Sequence, residues 1–374
     1  MTPDYAARQA KLRSIAGAEA IAIVPGPNMV YFTGLHFHLS ERPIIALFTP
    51  DGHLSVIIPE LEIPKLDARP DLEARAFGWT DKDGYEGAFA DAIRELGLQG
   101  KTLGVDGMTM RVSEWLTFQA ADASLRVKPV ERELTSIRAI KAPDEIDAMR
   151  QAIRLSEAAL DRLLEWVKPG MTERAIAAQL AEELTAQGSH GNSFEPLVQT
   201  GPNSAFPHGF TSQRELQADE FLLIDFGGTV NGYPADITRT FCLGTPTDEM
   251  QKIYDTVLRA NEAARSIAGP GVPMGALDKA ARDIITEAGY GEYFIHRTGH
   301  GLGLDVHEPI PQIAAGVEDL LEPGMTFTIE PGIYIPGLGG VRIEDNVAVT
   351  DDGLEVLTSY PRRLTVERSV TLPE

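Results

Sequence analysis

A single cysteine, Cys242, occurs in 374 residues, so no internal disulfide can form. A reducing, intracellular setting is the expectation that follows. Basic residues are scarce: 33 Lys and Arg stand against 55 Asp and Glu, for a formal charge of −22. That balance argues against binding a phosphate backbone and against an anionic membrane surface. No apolar run approaches the roughly 18 residues of a membrane span, and the N-terminus, MTPDYAARQAKLRSIAGAEAIAIV, scatters charges where a signal peptide needs an apolar stretch. The chain is expected to be cytoplasmic, with neither nucleic acid nor membrane as a partner. Hydrophobic residues at 43% and charged residues at 24% are ordinary for a folded protein, and the length suits two domains.

Residues 1–135 read as a smaller α/β domain. A helical stretch from Tyr5 to Ala16 precedes AIAIVPG, an apolar strand stopped by Pro25 and Gly26. PIIALFTPDGHLSVIIPE places two apolar runs around Asp51-Gly52, a hairpin signal. KTLGVDG and SLRVKPV add strands. Residues 136–374 differ in texture. Pro143 begins a helix with Asp144 and Glu145 in its first turn, where acids suit the helix dipole. Ile146, Met149, Ile153, Leu160, Leu163 and Val167 then share one stripe.

This second part repeats itself. Pro169 and Pro270, Gly170 and Gly271, and Gly188 and Gly289 stand at one constant spacing, each set marking a helix pair. FLLIDFGG…ADITRTF follows the first pair, and MTFTIEPGIYI…GVRIEDNVAV follows the second. The pattern predicts a duplicated α+β domain with pseudo-twofold symmetry.

Four acids interrupt these apolar strands: Asp225, Asp236, Glu330 and Glu344. If Val230 opposes Tyr233 across the Asn231-Gly232 turn, Asp225 opposes Thr238, and Asp236 shares its face. Four carboxylates on core strands cannot all stay ionised without cations. Ion pairs to Arg239 and Arg342 are the competing account, but two arginines do not balance four acids. Of eight histidines, His296, His300 and His307 fall in FIHRTGHGLGLDVHEP, and His208 lies in FPHGF ahead of Asp225. Each half thus supplies a histidine followed by two acids.

In the contexts DFGG, DITRTF, GHGLG, IEPG and RIED, the chain resembles the pita-bread metallopeptidase family of creatinase, prolidase, aminopeptidase P and methionine aminopeptidase. PNMVYFTG and the element order make the first domain similar to that of the prolidase and aminopeptidase P branch. The resemblance implies a pita-bread catalytic domain behind a creatinase-like N-terminal domain. It implies Asp225, Asp236, His300, Glu330 and Glu344 as ligands of two divalent ions. Oxygen-rich ligation favours Mn²⁺ or Co²⁺, with Zn²⁺ also compatible. Two ions about 3.5–4 Å apart hold a nucleophilic water and polarise a scissile carbonyl. By the same resemblance Glu330 accepts a proton, His208 and His307 bind the substrate carbonyl and the tetrahedral intermediate, and His296 completes the pocket wall. Arg342 is expected to orient Asp236 or Glu344. His36, His38, Glu41 and Arg42, in HFHLSERP, are candidates for a loop that reaches a catalytic site in a homodimer. The implied activity is hydrolysis of Xaa-Pro bonds in short proline-containing peptides. HEPIPQIAAG lacks the arginine that some prolidases place after the equivalent of His307-Glu308, so Xaa-Pro dipeptidase and aminopeptidase P both stay open. A creatinase-like hydrolase without metal, or a binding module, would have lost ligands that are all kept here.

Overall fold

The computed structural model describes residues 3–366. The chain divides between Arg138 and Ala139 into two compact units.

In the first unit β1 (Ala20–Ile23), β2 (Ile45–Phe48), β3 (Leu54–Pro59), β4 (Arg75–Trp79), β5 (Thr102–Val105) and β6 (Arg126–Pro129) form one mixed sheet in the order β4-β3-β2-β1-β5-β6. AIAI and LSVIIP are buried along their whole length, so their continuous apolar runs fit central strands covered on both faces. The hairpin around Asp51-Gly52 forms, with Phe48 opposite Leu54 and Gly52 at φ +90°. Helices α1 (Tyr5–Leu12), α2 (Pro27–Thr33), α3 (Ile63–Asp67), α4 (Glu86–Glu95) and α5 (Val112–Ala121) accompany the sheet, and the last residue of α6 (Glu131–Ala139) lies past the division. Helix α1 stops short of the expected Ala16. The Ser14 hydroxyl donates to the Lys11 carbonyl at 2.7 Å, a local bond that competes with continued helix.

The second unit opens with α7 (Pro143–Trp166), which has Pro143 in its first turn together with Asp144 and Glu145. Met149, Ile153, Leu160 and Leu163 are buried as the stripe requires, whereas Val167 lies just past the helix as its C-cap. After α8 (Glu173–Ala186) come β7 (Leu197–Thr200), β8 (Leu222–Phe226), the short ribbon β9 (Thr229–Val230) and β10 (Tyr233–Pro234), and β11 (Ile237–Phe241); β8 pairs with β7 and β11. Helices α9 (Asp248–Ile267) and α10 (Met274–Glu287) follow. The second half closes with β12 (Gly299–Gly301), β13 (Glu308–Ile313), β14 (Thr326–Ile329), the ribbon β15 (Gly332–Ile335) and β16 (Gly339–Arg342), β17 (Asp345–Thr350) and β18 (Gly353–Val356). Five of these make the sheet β13-β12-β14-β17-β18.

The duplication is visible in backbone geometry. Gly170 and Gly271 take φ +90° and +79°, and Gly188 and Gly289 take +94° and +89°, a region that disfavours side chains. Gly170 N–H donates to the Leu216 carbonyl and Gly271 N–H to that of Leu321, both at 2.8 Å. Each half buries its helix pair on its own sheet. Ile153, Leu160, Leu180, Ile224 and Ile237 belong to one core, and Val257, Leu277, Ile285, Phe327 and Val347 to the other.

One of the seams between the halves lies beside the acids. Glu344 N–H donates to the Thr238 carbonyl at 3.1 Å. The Asn346 side chain accepts from Asp236 N–H at 3.0 Å and donates back to the Asp236 carbonyl. Asp236 and Glu344, one from each half, are thereby held side by side.

Strand β12 runs close under its neighbour: a Cβ on Gly299 would stand 1.9 Å from the Thr328 carbonyl oxygen. Gly299→Ala is therefore expected to cost about 1–3 kcal/mol or more, because backbone has to move. Gly87→Ala, in α4 with open space around it, should be neutral or gain up to about 1 kcal/mol. Denaturant titration of both variants checks this, and equal destabilisation would contradict it.

Candidate metal centre

Strand pairing delivers the acids. Val230 opposes Tyr233 and Asp225 opposes Thr238, the register read from the sequence. Glu330 follows β14, with its N–H bound to the Thr298 carbonyl at 2.8 Å. Glu344 lies between β16 and β17, and His300 occupies the centre of β12. Asp225, Asp236, His300, Glu330 and Glu344 all line a cavity of about 650 Å³.

Ligand atoms of Asp225, Asp236 and Glu344 lie within 4.8 Å of one another, and so do those of His300, Glu330 and Glu344. Glu344 is common to these two triads, as a carboxylate shared by two adjacent ions would be, and a third group of Asp236, His300 and His307 is equally close. His300 Nε2 is 3.3 Å from Glu330 Oε1 and 3.6 Å from Asp236 Oδ2. Its Nδ1 is 3.0 Å from the Gly301 carbonyl. A carbonyl only accepts, so Nδ1 carries the proton and the Nε2 lone pair faces the acids. Burial, with His307 next to it, holds the His300 pKa down to about 3, which keeps that lone pair free. Asp225 Oδ1 is buried without a hydrogen-bond partner. The donor set therefore fits divalent cations: several carboxylate oxygens, one imidazole lone pair and one orphaned oxygen converge with too few protons between them.

Burial raises Asp236 well above the ordinary carboxylate range, with the charges of Asp225 and Glu330 adding to it. Burial likewise raises Glu344, with Asp236 next in effect. Glu330 is pushed from 4.5 up to about 7, chiefly by burial.

The arginines divide unequally. Arg239 is fully buried but spent elsewhere: it binds Asp345 at 2.9 Å, where Arg362 and Arg265 also converge. Arg342 alone of the two faces the acids. It binds Asp225 directly, rather than Asp236 or Glu344 as expected. Its Nε donates to Thr238 Oγ1 at 2.9 Å, and that hydroxyl donates to Glu344 Oε2 at 2.6 Å, so Arg342 reaches Glu344 only through Thr238. The strand register is the reason: Thr238 stands opposite Asp225 and takes the place between Arg342 and Glu344.

His296, His208 and His307 all line the cavity. His296 Nδ1 donates to the Arg297 carbonyl at 2.7 Å, and its Nε2 accepts from Tyr334 Oη at 2.9 Å. Tyr334 in turn accepts from Arg342 Nη1 at 2.9 Å. Burial and Arg342 push His296 down to about 4. The His307 ring lies 4.0 Å from that of His300, and burial lowers its pKa. His208 is exposed on a loop. His36, His38, Glu41 and Arg42 belong to the first unit, on the loop between α2 and β2, where Arg42 grips Asp81 through two bonds of 3.0 and 2.8 Å.

Reading the sequence missed three side chains here. Thr238 served only as a register mark, and Tyr334 lay in an apolar run. Arg297, in FIHRTGHG, lines the cavity, and its side chain has no ion pair or hydrogen bond among the described residues. Its charge between two histidines was the available signal.

Comparison with known proteins bears on the whole chain. Residues 147–351 match the profile described as Metallopeptidase family M24, and residues 8–140 match the Creatinase/Prolidase N-terminal domain. An uncharacterised peptidase of Staphylococcus aureus is 36% identical over 345 residues, covering 92% of this chain and 96% of the relative. Among solved structures, the prolidase of Thermococcus sibiricus superposes with a TM-score of 0.92 at 36% identity, over 98% of this chain and all of that one. The X-Pro aminopeptidase of Thermotoga maritima superposes with a TM-score of 0.83 at 32% identity, over 95% and 99%. The chain belongs to metallopeptidase family M24, with a creatinase-type first domain and a pita-bread second domain.

The raised acids give a pH signature. A carboxyl raised in the folded state keeps a proton that the unfolded chain has released. Metal-free protein should therefore lose stability as pH rises from about 4.5 to 7. Divalent ions compete with those protons. The gain in Tm on adding Mn²⁺ should be larger at pH 8 than at pH 5, and thermal unfolding with and without EDTA measures it. A gain that does not change with pH would contradict the assignment.

Proposed function

We propose that this member of metallopeptidase family M24 is a dimetal exopeptidase that hydrolyses Xaa-Pro bonds, of the Xaa-Pro dipeptidase type. The observation that carries the reading is Glu344 shared by two ligand triads at the wall of a cavity sized for a small peptide. The prolidase and X-Pro aminopeptidase among its structural neighbours support proline as the residue after the cut. In this reading Asp225, Asp236, His300, Glu330 and Glu344 hold two ions. Carboxylate-rich donors suit Mn²⁺ or Co²⁺, with Zn²⁺ compatible. Held there, such ions would supply an activated water and polarise the scissile carbonyl. Glu330 takes the proton released in the attack. His208 and His307 donate toward the carbonyl oxygen as it gains charge. Arg342 steadies Asp225 directly and Glu344 through Thr238, and its bond to Tyr334 fixes His296 in the wall. Residues 136–374 form the catalytic domain, residues 1–135 a domain that restricts access, and the enzyme works as a cytoplasmic homodimer.

A second reading, aminopeptidase P, keeps a claim because the segment after Glu308 has no arginine for a dipeptide carboxylate. Arg297 favours the first. It places a guanidinium without an ion pair in the same cavity, where the free carboxylate of a dipeptide would meet it.

EDTA should abolish hydrolysis of an Xaa-Pro dipeptide, and Mn²⁺ or Co²⁺ should restore it. Asp236→Asn should lose bound metal, since an amide is a far poorer ligand. His307→Ala should keep both ions and lose about 10²–10³ in kcat. Metal analysis beside kcat decides between these roles, and an Asp236→Asn variant with two tightly held ions would count against the site.

Arg297→Met should raise KM for the dipeptide about 10- to 100-fold, the worth of a hydrogen bond to a charged group, while barely affecting the matching tripeptide. Arg42→Ala, by freeing the loop end now held on Asp81, should shift the ratio of dipeptide to tripeptide cleavage. Steady-state kinetics on both substrates tests this. An unchanged dipeptide KM in the Arg297 variant would move the assignment to aminopeptidase P.

A further inference from the structure

Glu173 is one of the few acids with no exposed surface. It opens α8, whose N-cap Thr172 accepts from Ala175 N–H. An acid suits the first turn of a helix, but an exposed one would serve there equally well. Complete burial of a carboxyl is costly unless it is richly hydrogen-bonded. Glu173 has no ion pair among the described residues, and six hydrogen bonds take the place of one. Oε1 accepts from Thr200 N–H at 2.8 Å, from Thr200 Oγ1 at 3.0 Å and from Asn203 Nδ2 at 3.0 Å. Oε2 accepts from Ser212 N–H at 2.8 Å, from Ser212 Oγ at 2.6 Å and from Asn203 Nδ2 at 3.3 Å. Arg174 N–H donates to the Ser212 carbonyl at 3.0 Å, tying the same point to the helix backbone.

These donors are not scattered. Thr200 and Asn203 enter a loop, and Ser212 leaves it. Between them runs FPHGF, with His208 at its middle. That stretch has little to hold it. Phe206 is 63% exposed and Phe210 90% exposed, His208 itself is exposed, and residues 206–212 form neither helix nor strand. One internal backbone bond, Gly209 N–H to the Phe206 carbonyl at 3.0 Å, shapes the turn. Where the loop sits is therefore set at its two ends: the Thr211 hydroxyl accepts from Val198 N–H at 3.0 Å and donates to the Pro196 carbonyl at 3.3 Å, and the donors on both sides, Thr200 and Asn203 before the loop and Ser212 after it, meet on one carboxyl group. We propose that Glu173 is a positioning residue for His208. It clamps the two ends of the loop so that the imidazole is presented to the cavity without ordering being required at each turnover. This rests on the role given to His208 above.

The clamp uses acceptors only. Glu173→Gln keeps the shape but turns an NH₂ toward backbone N–H groups that cannot reverse. A double-mutant cycle separates positioning from plain stability. In the metal-loaded enzyme, Glu173→Gln should lower kcat about 10- to 100-fold with metal content kept. In the His208→Ala background the same change should lower kcat less than about 2-fold. Hydrogen exchange on metal-free protein should show faster exchange of amides 203–212 in Glu173→Gln and unchanged exchange in β8 and β14. An equal loss in both backgrounds, or unchanged exchange in the loop, would overturn the proposal. If Glu173→Gln does not fold, Ser212→Ala, which removes a hydroxyl donor and keeps the acid, runs through the same cycle. Its effect should be smaller and should also vanish in the His208→Ala background, and an additive result overturns the proposal equally. Full activity of His208→Ala alone would instead refute the role of His208, a separate failure.

Discussion

Four carboxylates brought into one buried space, with only Arg342 bonded to one of them and Arg297 on the same wall without an ion pair among the described residues, is the constraint from which the rest of the second unit follows. Asp225, Asp236, Glu330 and Glu344 repel one another there, and burial makes the repulsion stronger. Three further arginines are close by in sequence or space, yet Arg239, Arg265 and Arg362 converge on Asp345 and do not neutralise the cluster. A fold that gathers acids and spends its cations on a neighbouring aspartate is arranged to leave a deficit of positive charge. Two divalent cations fit that deficit.

The duplicated architecture is what makes the gathering possible. One half supplies Asp225 from β8 and Asp236 from just before β11. The other supplies Glu330 from just after β14 and Glu344 from between β16 and β17. The seam of Thr238, Glu344, Asp236 and Asn346 puts the two sets in register. The loops around the site are then pinned by buried polar groups behind them. Glu173 holds both ends of the His208 loop. Asp278 accepts from Thr298 N–H and Oγ1 at 3.1 and 2.8 Å and so anchors the segment leading to His300. Lys141 and Glu308, both buried, pair at 2.7 Å directly after His307. The candidate site is exposed enough to admit a peptide, while the groups that fix it are not.

Much of this was legible in the sequence. Charges inside apolar strand runs marked the four acids, and the Asn231-Gly232 turn set the register that placed Asp225 against Thr238. The three glycine and proline offsets announced the duplication, because Gly170 and Gly271 occupy backbone conformations that a side chain resists. What was not legible depends on contacts between distant segments. Nothing local in DITRTF says that Thr238 will stand between Arg342 and Glu344. Nothing in GIYIPG marks Tyr334 as the link between Arg342 and His296. Nothing in GMTERAI sets Glu173 apart from any first-turn acid; its burial and the donors from residues 200–212 give it a place. The direction of Arg342 was misjudged for the same reason: sequence adjacency to Glu344 suggested a partner that the strand geometry assigns to Asp225.

The central claim is that the acid cluster holds two divalent ions that share Glu344. Anomalous diffraction from crystals grown with Mn²⁺ tests it most directly. The account predicts two peaks about 3.5–4 Å apart, one against Asp225, Asp236 and Glu344 and the other against His300, Glu330 and Glu344. A single peak, or ions seated away from Glu344, would contradict it.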